Sequence, residues 1–253
     1  MIESSALVPR HPGPAELVVA PAPDAPSLTE LFRFMRDAEL RFESLRLRIV
    51  ERTVSAVGER EEWQDLWLRH PGRAKVVTRF DPLAPRGASR IWLTDGETVR
   101  SYDSRSRTAS VRPVREPVLG ITDPHLPDFG RVYRSRTPLP MESLVETFVH
   151  PHGFCRNVLA TAALALRGTA RLNGREIYLL RADHPRTTKL LTDRPDHWLE
   201  VGVDRLTGLI LLLVERVGDQ VTRHAEVATL ELDAPIGDEA FVLHLSGDVR
   251  TIF

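Results

Sequence analysis

Three residues with ligand chemistry stand close together: His150, His152 and Cys155, in the pattern His-x-His-x-x-Cys. Imidazole and thiolate are both zinc ligands. A structural zinc site needs a fourth group, and the chain shows none in a matching position. The phrase His150-Pro151-His152-Gly153 reads equally well as a turn closing a helix. The expectation is therefore no bound metal. Cys155 beside a histidine could also form a thiol pair, but a lone cysteine is more often a small buried hydrophobe. No Gly-x-Ser-x-Gly elbow is present for a serine nucleophile. Glu61, Glu62, Asp65 and Glu200 are candidate carboxylates, and on alternating strands such residues usually face water. None forms a pair marked out for acid–base work. Gly-rich phosphate cradles are absent. The expectation is no catalytic residue and no cofactor.

Arginines are dense at 100, 105, 107, 112, 115, 131, 134 and 136, with acids at 103, 116, 123 and 128 offsetting half of them. This reads as a solvated sheet face, or as a rim that attracts anionic head groups or an acidic partner. Trp63, Trp67, Phe80, Trp92, Tyr102 and Trp198 fall on expected strands. Bulky residues of this kind are mostly core.

The elements that must position these groups follow from periodicity. Residues 1–26 carry prolines at 9, 12, 14, 21, 23 and 26 and read as a flexible leader or a packed strap. Ser27 with Glu30 makes a capping box. The stripe Leu28, Leu31, Phe32, Met35 and Phe42 predicts a helix over 27–43. From Leu45 the period becomes two, with a bulge expected near 50–52 where Val50 breaks register. Strands are expected at about 61–69, 73–80, 89–94, 98–103 and 108–114. A helical insert follows near 138–159, with the stripe Met141, Leu144, Val145 and Phe148, stopped by Pro151. Strands return near 160–172, 175–182, 197–204, 209–217 and 221–232. Asp95-Gly96 and Asn173-Gly174 both predict type I′ hairpins. Leu209 to Val214 is apolar on both faces and should lie under cover on each.

Composition bounds the classes. The chain has 253 residues, 42% hydrophobic and 27% charged, with net charge −1. These are values of an ordinary globular protein. A near-neutral chain has no global field to draw nucleic acid. No segment approaches the roughly 18 apolar residues of a membrane helix. The start carries Glu3 before its first arginine at position 10, which is not an export signal. On that reading the place is cytoplasmic.

Three phrases stand in a set order: Arg69-His70-Pro71-Gly72-Arg73, Thr94-Asp95-Gly96-Glu97 leading to Ser101-Tyr102-Asp103, and Val203-Asp204-Arg205-Leu206-Thr207-Gly208-Leu209. In order and spacing they resemble the LolA/LolB-like superfamily of lipoprotein-carrier and lipid-binding domains, RseB-type regulators included. The resemblance covers roughly residues 27–245. It implies an α+β fold: a curved antiparallel half-barrel of about eleven strands with helices on its concave face. It also implies one domain over 27–253 and an apolar cleft lined by Phe32, Met35, Trp67, Trp92, Met141, Leu144 and Phe148. The cleft would take a lipid, an acyl chain or an apolar peptide. The alternative implied function is an RseB-like regulatory domain that contacts a protein partner. The family's usual place is the cell envelope.

Overall fold

The computed structural model describes residues 17–56, 58–81, 88–114, 135–185, 196–243 and 250–252. Residues 1–16 of the leader lie outside them. Ser27 starts the first helix as expected: its hydroxyl accepts from Glu30 N, and Glu30 reaches back to Ser27 N at 2.8 Å. Helix α1 spans Leu28–Arg36 and a 3-10 turn follows over Ala38–Arg41. The helix is thus shorter than its apolar stripe. Leu31, Met35 and Phe42 are buried, but Phe42 belongs to the extended segment after the turn.

Strands β1 (Ser44–Ser55), β2 (Gly58–Arg69), β3 (Arg73–Phe80), β4 (Ala88–Thr94), β5 (Thr98–Asp103) and β6 (Thr108–Pro113) form an antiparallel meander. The helical insert holds α2 (Leu144–Val149) and α3 (His152–Asn157). Strands β7 (Ala163–Leu172), β8 (Arg175–Asp183), β9 (His197–Asp204), β10 (Ile210–Val217) and β11 (Gln220–Leu232) form a second meander. β11 pairs with β1, which joins the two meanders into one sheet. A short β12 (Arg250–Ile252) adds in parallel beside β6 and gives twelve strands. A sheet of this length must curl, and here it forms the curved half-barrel. Leu209 to Val214 are all buried, so β10 is covered on both faces as its composition requires.

Three turn and register expectations meet different fates. Asn173 and Gly174 both have positive φ, 47° and 82°, as a type I′ hairpin needs. At the Asp95-Gly96 hairpin only Gly96 turns positive; Asp95 instead accepts from Glu97 N and Thr98 N through its carboxylate. The expected bulge at 50–52 is absent from the β1–β2 ladder, which runs unbroken from Ser44 to Ser55. The extra residue sits on β11, where Arg48 faces Thr229 and Ile49 faces Val227. The broken hydrophobic pattern has another cause. Glu51 takes a buried core-side position and is neutralised there by Arg223 at 2.5 Å.

Candidate functional site

The helix-covered face is the region the fold offers as a cleft. Leu31, Met35, Leu144, Val145, Phe148, Val149 and Leu159 from the helices join Leu47, Ile49, Leu66, Val76, Val201 and Leu213 from the sheet in one buried cluster. Leu31, Met35, Phe148 and Leu159 have no exposed surface at all. Side chains occupy the space between sheet and helices.

The expected lining residues separate accordingly. Met35, Leu144 and Phe148 are core. Phe32 and Trp92 are half-buried and pack against the same cluster. Trp67 stands on the opposite face. Leu66 and Leu68 take the core positions of β2, so the residue between them points away. Its ring lies 5.9 Å from the Lys75 ammonium. Met141 is 79% exposed. It precedes the helix, because Pro138 and Pro140 delay helical geometry and Ser143 supplies the N-cap, accepting from Glu146 N at 3.0 Å.

A buried polar cluster anchors the insert. His150 at the end of α2 donates through Nε2 to Thr137 O at 3.0 Å. Its Nδ1 faces a Glu39 carboxylate oxygen at 3.5 Å. That oxygen accepts from Arg136 N at 2.9 Å. The Thr137 hydroxyl meets His70 Nδ1 at 2.8 Å and accepts from Gly72 N at 2.9 Å. Burial pushes His150 down to about 3 and His70 to about 4, and pushes the Glu39 carboxyl above its ordinary range. At neutral pH both rings are therefore uncharged. Arg136, expected on the cationic rim, instead turns into this cluster and pairs with Glu43 at 3.0 Å.

His150, His152 and Cys155 do not converge. His150 is committed to Thr137, and Cys155 Sγ sits 3.8 Å from Met35 Sδ. Burial lifts the Cys155 thiol to about 12, so it is neither nucleophile nor ready ligand. Among the described residues, no three His, Cys, Asp or Glu side chains are grouped to hold a metal. The candidate carboxylates are structural. Asp65, expected on the wet face, is buried between Arg48 and Arg79. Glu61 holds Arg52 at 2.9 Å and the Trp63 indole N–H at 2.8 Å, and Glu62 holds Arg60. Glu200 is half-buried, which raises its carboxyl. Of the arginine run, residues 105, 107 and 112 are exposed, and Arg100 stands 3.8 Å from Asp95. Residues 115, 131 and 134 lie outside the described residues.

The three phrases of the resemblance have clear local work. Asp204, buried, accepts from Thr207 N and hydroxyl and from both forks of Arg175 at 2.8–2.9 Å. Gly208 follows with φ 78°, and a Cβ there would lie 2.7 Å from Phe34 O, so the turn packs directly on α1. Arg69 and Arg73 flank the Pro71-Gly72 turn and hold Asp238 from the segment after β11. That segment crosses the face away from the helices, where Arg46 and Lys75 donate to Pro235 O and Val242 O. Beside it is a polar pocket of about 190 Å³ lined by Arg73, Leu93, Asp95, Arg100, Asp238 and Phe241 among others.

No protein-family model matches the sequence, and no characterised protein matches it. Solved structures do. MucB matches with a TM-score of 0.50 at 16% identity, over 88% of this chain and 64% of its own. The chain thus spans less than two thirds of MucB. The Pseudomonas aeruginosa MucA/MucB complex gives 0.48 at 16% identity, over 88% and 63%. The LolA superfamily protein NE2245 from Nitrosomonas europaea gives 0.33 at 7% identity, over 87% and 99%. Among the described residues, no helix is long and apolar enough to cross a membrane. The cytoplasmic expectation gains no support from these likenesses. The likeness to MucB is one of fold, and the fold here is the curved half-barrel expected above.

Proposed function

We propose that this chain is a non-catalytic binding module that works by docking a segment of another protein. The filled helix-covered face carries this reading. A lipid carrier needs an apolar space, and here Leu31, Met35, Phe148 and Leu159, wholly buried, stand in that place. Among the described residues, Asp65 is held between two arginines, Glu61 and Glu62 each pair with an arginine, and His150 and Cys155 are buried neutral.

A second reading keeps the apolar ligand and makes the 138–159 insert a lid. It is favoured by the build of the insert: two helices of six residues each, with Pro138, Pro140 and Pro151 at their ends. A closed lid competes with ligand, so loosening it raises affinity. Fluorescent fatty-acid displacement and native mass spectrometry on the wild type and Leu144→Ala separate the two. Protein docking expects no saturable uptake by either chain. One fatty acid per wild-type chain, bound more tightly by Leu144→Ala, would establish the lid instead. The family resemblance supports a place in the cell envelope for either activity, which fractionation of the native host tests.

A further inference from the structure

The sheet ends at β7, whose neighbour on one side is β8. Among the described residues, its other edge is met at one place. Ala20 N donates to Thr169 O at 2.8 Å and Thr169 N donates to Ala20 O at 2.9 Å, an antiparallel bridge. The first half of β7, Ala163-Leu164-Ala165-Leu166, carries no charge and reads exposed and half-buried by turns. An apolar edge strand of this kind is a template for another chain.

Three features show what the edge accepts. The strap Leu17–Ala20 is an extended Leu-Val-Val-Ala run. It is held shallowly, with Val18 87% and Val19 43% exposed. Among the described residues the pairing stops at this one bridge, and Pro21 and Pro23 follow it. The third feature is Gly168. It sits at a register shift in β7 with φ 140°, and a Cβ there would lie 2.2 Å from Ala20 O and 3.1 Å from a Val19 methyl. The edge is notched where a crossing backbone must come close.

We propose that the outer edge of β7 docks an extended apolar peptide of a partner protein, which adds as an antiparallel strand and displaces the strap Leu17–Ala20. Main-chain pairing supplies the attachment and the Gly168 notch fixes the register. A tethered strap acts as a built-in competitor, present at high effective concentration, so only a peptide that pairs further along Ala163–Leu166 replaces it. This inference rests on the protein-docking reading, but its test does not involve lipid, so the two fail separately.

The probe is a fluorescent peptide of this chain's residues 15–24, titrated into the full chain and followed by anisotropy. Ala20→Pro removes the N–H that Thr169 O accepts and frees the edge. The expected result is binding at least about tenfold tighter than to wild type, the strap no longer competing. Adding Gly168→Val closes the notch and abolishes binding. Thr169→Pro does the same by a gentler route. Its N–H points outward to Ala20, so the β8 ladder is kept. Hydrogen exchange gives an independent readout. The Thr169 amide loses protection in Ala20→Pro and regains it with peptide, while β8 and β9 amides stay unchanged. No saturable binding to a natively melting Ala20→Pro chain overturns the proposal. Binding that survives Thr169→Pro does so too. An Ala20→Pro chain that dimerises with Thr169 protected, without peptide, assigns the edge to a second copy and also overturns it.

Discussion

Acidification should weaken this protein through His150, and the size of the effect follows from its surroundings. The ring is buried at the end of α2, its Nε2–H is spent on Thr137 O, and it is held neutral down to about pH 3. In the unfolded chain an ordinary histidine takes its proton near 6.5. Below that value the unfolded state binds a proton that the folded state refuses, so falling pH favours unfolding. The contribution is fully present above pH 6.5 and is lost progressively from 6.5 down to about 3. At about 1.4 kcal/mol per pH unit, His150 alone should remove about 2 kcal/mol by pH 5. His70 and His224, both pushed to about 4 by burial, act in the same direction. The raised carboxyls of Glu39, Glu62, Glu146, Glu200 and Glu226 act oppositely, since they gain protons in the folded state first. Comparison with a variant isolates the histidine. His150→Gln keeps a donor for Thr137 O and cannot titrate. Urea unfolding at pH 7.5 and pH 5 should show the wild type losing about 2 kcal/mol more than the variant. Equal losses in both chains would refute the account of a neutral, buried His150.

Phe148→Ala should cost about 3–5 kcal/mol in urea unfolding, because its ring is wholly buried between the insert and the sheet. Met141→Ser, by contrast, should change stability by less than about 0.5 kcal/mol, the side chain being exposed. Cys155 should resist iodoacetamide at pH 8 in the folded protein and react at once in urea, since burial lifts its thiol to about 12; mass spectrometry reads the adduct. Asp204→Asn should cost about 3 kcal/mol or more, because it leaves the Arg175 fork facing a neutral, buried partner.

Local rules made much of the fold legible. The capping box at Ser27 and Glu30 and the Asn173-Gly174 hairpin involve residues next to one another, and both read correctly because turn and cap chemistry is decided by near neighbours. Leu209 to Val214 announced a strand covered on both faces by composition alone. Misreadings arose where a charge took a core position. Glu51 sits inside because Arg223, on a strand far along the chain, neutralises it. A window around residue 50 shows only a broken alternation, and a bulge is the local way to explain that. Asp65 misled differently: it keeps the outward parity of Trp67, opposite Leu66 and Leu68, but Arg48 and Arg79 on the two flanking strands bury it there.

The site was less legible, for a reason that applies to any concave sheet. Trp67 and Trp92 look equivalent as aromatic residues on strands, yet strand parity places one on the helix face and the other away from it. Parity is local and could have been counted: Leu66 and Leu68 already claim the core side of β2. What covers a face cannot be counted so. Met35, Phe148 and Leu159 come from three separate segments and close one space together. The polar anchor is equally non-local, with Thr137 joining His70 from one turn to His150 from another. The strap repeats the pattern, since Ala20 and Thr169 are distant in the chain, and the local sign near their meeting is Gly168, at a register shift of β7 with φ 140° and against Ala20 O. An isolated glycine inside a strand marks a bulge or a close backbone approach, Gly168 serves both, and it directs attention to the sheet edge rather than to the concave face.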